Sequence, residues 1–249
     1  MSGLQIHLSE ESTWFMKGFE SMKEKANESI QKHLSEHQKI CENFALETRL
    51  DVRLHESVAD LTTFGVGGKA DLLVYARNAE ELARAVGFVQ KNRIPFFVLG
   101  GGSNILVSDQ RLAGVVIVAR ESKKQLGEIS IEAETEKFVK LGADATVSNA
   151  RLLKLCIERG LKEADTIAGI PGVVGGSILG NAGTKYGSFS QIITAIEIID
   201  SKNKIQLVEA KEIDFSYRKC QLPNRGIILK GFFQFTNVTD SKWKTELKK

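Results

Sequence analysis

At 249 residues, with 42% hydrophobic and 26% charged side chains, the chain has an ordinary soluble composition and enough length for one large domain or two modest ones. Its formal net charge of +3 leaves no electrostatic footprint for nucleic acid or a membrane surface, although the segment SKWKTELKK is locally basic and reads as a solvated tail over 237–249. Three scattered cysteines, Cys41, Cys156 and Cys220, form no CxxC pair, which argues against a disulfide framework or a zinc ribbon and suits a reducing compartment.

The opening MSGLQIHLSEESTWF lacks the basic start and apolar run of a secretion signal, and no apolar stretch is long enough to span a bilayer. The expected location is the cytoplasm. From Ser9 to Phe44 there is no proline and only Gly18, while Phe15, Phe19, Met22, Ala26, Ile30, His33, His37, Ile40 and Phe44 recur at steps of three and four. That spacing predicts one or two amphipathic helices in an N-terminal extension over 1–55. His33, His37 and Cys41 would stack on one helix face, with nitrogen and sulfur ligands that suit zinc. No fourth ligand accompanies them, so membership of the apolar stripe is the simpler reading and no metal is expected. No histidine follows His55, which removes a Ser-His-Asp mechanism from the remaining chain.

Glycine becomes dense after residue 64. The segment TTFGVGGKADLLVYA predicts a glycine-rich turn feeding a strand, and NAEELARAVGFVQKNRI predicts a helix capped by Asn78 with Leu82, Val86 and Val89 inward. Pro95 closes that helix, and PFFVLG is a second strand. Strand, helix and strand in this order make a parallel unit, which puts GGGSN at the carboxyl end of a strand where α/β folds bind ligands. In VLGGGSNILVSD, Ile105, Leu106 and Val107 read as the start of another buried element. GVVIVA at 114–119 is a further buried strand, and ISIEAETEKFVKLGADA predicts a hairpin. SNARLLKLCIERGL is a helix capped by Ser148 or Asn149 with Gly160 past its end, and IITAIEIID, KIQLVEA and GIILKGFFQF are strands of an antiparallel half.

GGGSN alone fits a phosphate cradle and a plain tight turn equally well. It lacks the Gly-Lys-Ser/Thr ending of the nucleotide-triphosphatase loop and the last glycine of the dinucleotide fingerprint. Successive N–H groups in a glycine-rich turn nevertheless form a nest that suits phosphate. The second glycine-rich stretch, IAGIPGVVGGSILGNAGTKYGS at 167–188, mixes glycine with small apolar residues and matches neither a regular strand or helix nor a solvated linker. Two such segments point to a large cofactor with a phosphate part and a ring part. In DFSYRKC, at the edge of the strand-rich half, Arg218 could hold a carboxylate and stabilise developing negative charge, or be an ordinary surface arginine.

Taken together, TTFGVGGKAD at 62–71, VLGGGSNILVSD at 98–109, GIPGVVGGSILGNAG at 169–183 and FSYR at 215–218 resemble the bacterial UDP-N-acetylenolpyruvoylglucosamine reductase family, from about Leu61 to Phe235. The resemblance implies an α+β, two-subdomain FAD-binding fold of the PCMH or vanillyl-alcohol-oxidase type over 56–236, divided near 120. It implies FAD as cofactor, NADPH as reductant, and a UDP-sugar substrate whose enolpyruvyl double bond receives hydride from the flavin. By that resemblance Gly100, Gly101, Gly102, Ser103, Asn104 and Ile105 hold the pyrophosphate. Ile170, Pro171, Gly172, Val173, Gly175, Gly176, Ser177 and Asn181 line the flavin, and Gly142 and Ala143 join the cofactor set. Arg218 polarises the substrate carboxylate and stabilises the charge that follows hydride addition, with Tyr217 and Tyr186 beside the substrate. Here NAGTKYG carries one residue more than the family's NAGAYG, around Thr184 and Lys185. The family's C-terminal substrate region, with a serine proton donor in a Gly-Ser-x-Phe-Lys-like motif and a late glutamate, has no match up to Lys249. The expected fold therefore lacks that region, and a separate chain that supplies it is an expected partner.

Overall fold

The computed structural model describes residues 36–237. The expected stripe from Phe15 to His33 and the tail beyond 237 lie outside the described residues. Residues 36–48 form helix α1, whose Phe44 is fully buried. A first sheet follows: β1 (Val52–Leu54), β2 (Ala70–Ala76), then helix α2 (Ala79–Lys91), β3 (Phe96–Leu99) and β4 (Leu112–Ala119), in the order β1-β2-β4-β3. β2 and β3 both run parallel to β4, and β1 is antiparallel to β2. The sheet is apolar on both faces. Leu72, Val74, Val115 and Ile117 join the main core, while Leu73, Leu99, Val116 and Val118 form a second cluster with Val58 and Leu61. Double burial explains why β2 and β4 read as nearly continuous apolar runs rather than alternating ones.

α2 starts where three acceptors meet it. Asn78 Oδ1 accepts from Glu81 N at 2.8 Å as the N-cap, Glu81 Oε2 accepts from Arg77 N at 2.8 Å, and Asp144 Oδ2 accepts from Ala79 N at 3.1 Å. The last of these comes from the other half of the molecule. The predicted hairpin is β5 (Ile129–Glu134) with β6 (Phe138–Asp144), and α3 (Asn149–Arg159) is capped by Ser148 and closed by Gly160 in the left-handed conformation, φ 69°.

A short helix, α4 (Val174–Leu179), and a two-residue-strand hairpin, β7 (Gly183–Thr184) and β8 (Gly187–Ser188), come next. The 167–188 stretch, which carries more glycine than a regular element needs, contains helix α4 and the β7–β8 strands; within α4, Gly175 lets the backbone press against Ala145. β9 (Ile193–Ile199), β10 (Ile205–Glu209) and β13 (Ile227–Thr236) complete a five-stranded antiparallel sheet, β10-β9-β13-β6-β5. Between β10 and β13 lies a separate hairpin of β11 (Asp214–Ser216) and β12 (Lys219–Gln221). DFSYRKC thus forms its own two-stranded hairpin beside the five-stranded sheet.

α2 packs against β2 and β4 on one side and β13 on the other, so one apolar core runs through both sheets. Residues 105–107 form no strand or helix. Ile105 and Val107 are half-buried over the outer face of the first sheet and Leu106 is 78% exposed, because this segment folds back beside β4 instead of entering a layer. A cavity of about 440 Å³ opens under it, lined by Phe96, Leu99, Ile105, Val107 and Val116.

Candidate functional site

The chain leaves β3 at Leu99 and turns through Gly100–Asn104 at the carboxyl edge of the parallel strands, as expected. Gly102 has φ 67°, and a Cβ there would collide with the Leu61 carbonyl, so the turn admits glycine alone. Thr63 N donates to Gly102 O at 2.9 Å, which draws the TTFG segment against the turn. The two glycine-rich stretches touch each other. A Cβ on Gly101 would lie 2.5 Å from Gly172 Cα, one on Gly100 would lie 2.8 Å from Val173 Cγ2, and Ser103 Oγ donates to Pro171 O at 3.4 Å. Segments about 70 residues apart in sequence thus share one backbone contact.

The arc from 170 to 177 is held from below by a residue that sequence reasoning passed over. Asn149 is 1% exposed, and its Nδ2 donates to Ile170 O at 3.2 Å, Pro171 O at 3.3 Å and Ser177 Oγ at 2.7 Å. Its backbone N donates to Gly172 O at 3.0 Å. The signal was available: only one of Ser148 and Asn149 can cap α3, which leaves the other polar side chain with a different task. Asn181 does comparable work on the far side. Its Nδ2 donates to Ser216 O at 2.9 Å and its Oδ1 accepts from Ser190 N at 3.1 Å, so it ties the β11–β12 hairpin and the turn after β8 to the end of α4.

Tyr217 and Arg218 form the turn of the β11–β12 hairpin. Tyr217 is 90% exposed, Arg218 has φ 58°, and its guanidinium lies 5.5 Å from the Tyr217 ring centroid. No carboxylate pairs with Arg218 among the described residues. The β7–β8 turn presents Tyr186, with Lys185 Nζ 4.9 Å from its ring centroid. Gly142 and Ala143 stand apart from these elements. They pair with Ser130 and Ile129 toward the end of β6, where Ala143 is fully buried, and two residues on the Ala145 carbonyl accepts from Gly175 N at 2.9 Å.

Beside the turn, Glu121 anchors the start of α3. Its Oε1 accepts from Ser148 N at 3.0 Å, Ser148 Oγ at 2.9 Å and Arg151 Nε at 3.1 Å, and Arg151 Nη2 lies 2.8 Å from Oε2. Burial alone would raise this carboxyl, but the Arg151 and Ser148 donors outweigh it and hold the group below its ordinary value.

What this arrangement can hold follows from its free groups. The amides of Gly101, Gly102, Ser103, Asn104 and Ile105 donate no hydrogen bond to any described residue, so the turn offers five consecutive N–H donors. Such a nest suits a pyrophosphate. Alongside it, an apolar slot lined by Val98, Gly100, Val173, Gly175, Gly176 and Leu222 suits the edge of a flat ring system. Gly169 and Gly176 have no atom closer than 3.9 Å to an added Cβ, leaving room beside bare backbone. The residues present fit a dinucleotide such as FAD.

Comparison with known proteins agrees. UDP-N-acetylenolpyruvoylglucosamine reductase of Syntrophus aciditrophicus is 34% identical over 178 residues, covering 72% of this chain and 56% of the relative. That of Syntrophobacter fumaroxidans is 32% identical over 199 residues, covering 80% of this chain and 57% of the relative. The chain thus spans little more than half the length of these curated relatives. Among solved structures, the UDP-N-acetylenolpyruvylglucosamine reductase (MurB) from Thermus caldophilus superposes with a TM-score of 0.58 at 28% identity, over 80% of this chain and 68% of that one. Physcomitrella patens BBE-like 1, at 13% identity and a TM-score of 0.56, shares the fold. The family model described as FAD binding domain matches residues 70–208, and with its nest and slot within or beside that span the chain belongs to the FAD binding domain family.

Proposed function

We propose that this chain is the flavin-binding part of a UDP-N-acetylenolpyruvoylglucosamine reductase, which makes UDP-N-acetylmuramate with NADPH as reductant. The observation that carries the reading is the meeting of the two glycine-rich stretches at Gly101 and Gly172, with the β11–β12 hairpin that bears Arg218 tied at Ser216 O to Asn181. The amides of Gly101–Ile105 hold the FAD pyrophosphate, and the Ile170–Ser177 arc lies along the ring system. FAD, when bound, supplies the hydride relay between NADPH and the enolpyruvyl double bond. Hydride addition to that bond builds negative charge beside the substrate carboxylate. Arg218 holds that carboxylate with its planar fork and stabilises the charge, and no carboxylate among the described residues competes for it. Tyr217 and Tyr186 flank the substrate. The three free cysteines fit the cytoplasmic location that this reaction implies.

Purified chain reconstituted with FAD should be yellow and should oxidise NADPH faster when the enolpyruvyl sugar nucleotide is added. A chain that takes up no flavin overturns the reading. A second reading is favoured by the 56% span of the curated relative. In it the chain binds FAD but turns over only when another polypeptide supplies the proton-donating region. Flavin binding without turnover, followed by turnover on adding that polypeptide, selects it; brisk turnover by this chain alone eliminates it.

A further inference from the structure

We propose that His37, His55 and Asp71 form a site for one divalent transition-metal ion of borderline softness, best matched by Zn²⁺, that fastens α1 to the first sheet. One ligand atom from each residue lies within 4.8 Å of the other two. The three residues come from α1, from the turn after β1 and from β2, so a shared ion would cross-link three separate elements. His37 is 7% exposed, and its Nε2 lies 3.6 Å from Asp71 Oδ2. His55 is exposed and gives an ion a way in. Its backbone is fixed: φ is 55°, and its N–H donates to Asp71 O at 3.2 Å, which keeps the ring beside the carboxylate, 5.6 Å from the His37 ring.

The donor set selects the ion. Two imidazoles and one carboxylate leave a fourth tetrahedral position for water, an arrangement suited to Zn²⁺, whereas Mg²⁺ and Ca²⁺ prefer oxygen throughout. Zinc takes nitrogen and oxygen ligands at roughly 2.0–2.2 Å, so the cluster must close slightly around it, and the exposed His55 ring is the part free to turn. Asp71 also serves Arg111, whose Nε lies 2.5 Å from Oδ1 and Nη2 2.8 Å from Oδ2, and Gly114 N, 2.9 Å from Oδ2. A carboxylate has about four lone-pair directions; two of these donors reach Oδ2 and one reaches Oδ1, so the direction left for a metal is on Oδ1. The adjacent guanidinium repels a cation, which makes the site weaker than a closed structural zinc centre. Of the residues set beside His37 in the sequence, His33 lies outside the described residues.

The test is zinc titration of the full chain after chelator treatment, followed by calorimetry in a non-coordinating buffer, with Co²⁺ absorption as a coordination probe. His55→Asn is the variant, because Asn accepts the left-handed backbone and the position is exposed. One equivalent of Zn²⁺ should bind the parent chain and raise its Tm, with Mg²⁺ inert. His55→Asn should bind that equivalent roughly tenfold to a hundredfold more weakly and lose the Co²⁺ bands. The proposal is overturned if the parent binds no zinc, or if a folded His55→Asn chain, verified by circular dichroism, gives the same isotherm and Co²⁺ spectrum. Both readouts are independent of flavin and turnover.

Discussion

Single glycines in the nest carry different burdens, and their neighbours say which. Gly101→Ala forces a Cβ to within 2.5 Å of the Gly172 backbone, which cannot swing away as a side chain could. It should lower stability by on the order of 1–3 kcal/mol and abolish flavin uptake, seen as loss of the bound-flavin absorbance. Gly176→Ala meets nothing closer than Val173 Cγ2 at 3.9 Å and sits inside helix α4. The flavin-free variant should be more stable by up to about 1 kcal/mol, while FAD binds more weakly because the methyl enters the slot. Equal flavin affinity in Gly176→Ala and the parent would move the ring elsewhere. Arg218→Lys keeps the charge and loses the fork. Flavin binding should stay near normal while NADPH oxidation driven by the sugar nucleotide falls roughly a hundredfold or more, whichever chain composition turns over.

At the level of elements, the start of α3 depends on a charge. Because the Glu121 carboxyl is held below its ordinary value of 4.5, it contributes stability that is present above that pH and lost as the pH falls through the lowered folded value. A Tm series downward from about pH 6 should show Glu121→Gln falling less steeply than the parent below pH 4.5. Parallel curves would mean that Glu121 and Arg151 do not act as a pair in solution. The helices and strands around this point were readable in the residues: Asn78 and Ser148 cap as their type and position suggest, and Gly160 closes α3 in the left-handed region. Ile105–Val107 misled because a short apolar run looks the same over a sheet's outer face as inside a layer. Helix α4 was hidden for the opposite reason, since glycine has poor helix propensity and the close approach of Gly175 to Ala145 is visible only in the fold. The partners of Asn149 and Asn181 lay beyond local reading, because they are up to 35 residues away, although the unused cap candidate at Asn149 hinted that its side chain had another task.

For the whole molecule, the nest is built from both halves: its turn comes from the first sheet, and the arc behind it hangs from α3 and the second. A ligand seated there stabilises both together, so FAD at a hundredfold over its Kd should add about 2.7 kcal/mol and raise Tm by roughly 5–10 °C in one cooperative transition. Two separate transitions, with only one moved by FAD, would show that the halves unfold independently. The meeting of Gly101 with Gly172 has one more consequence. Backbone pressed on backbone leaves the turn no slack, so the five amides are aimed before any cofactor arrives. The entropy of ordering them is lost during folding, not during binding. Stopped-flow mixing would then follow a single bimolecular rise whose rate grows linearly with FAD concentration, the kinetics of a socket already cast to shape.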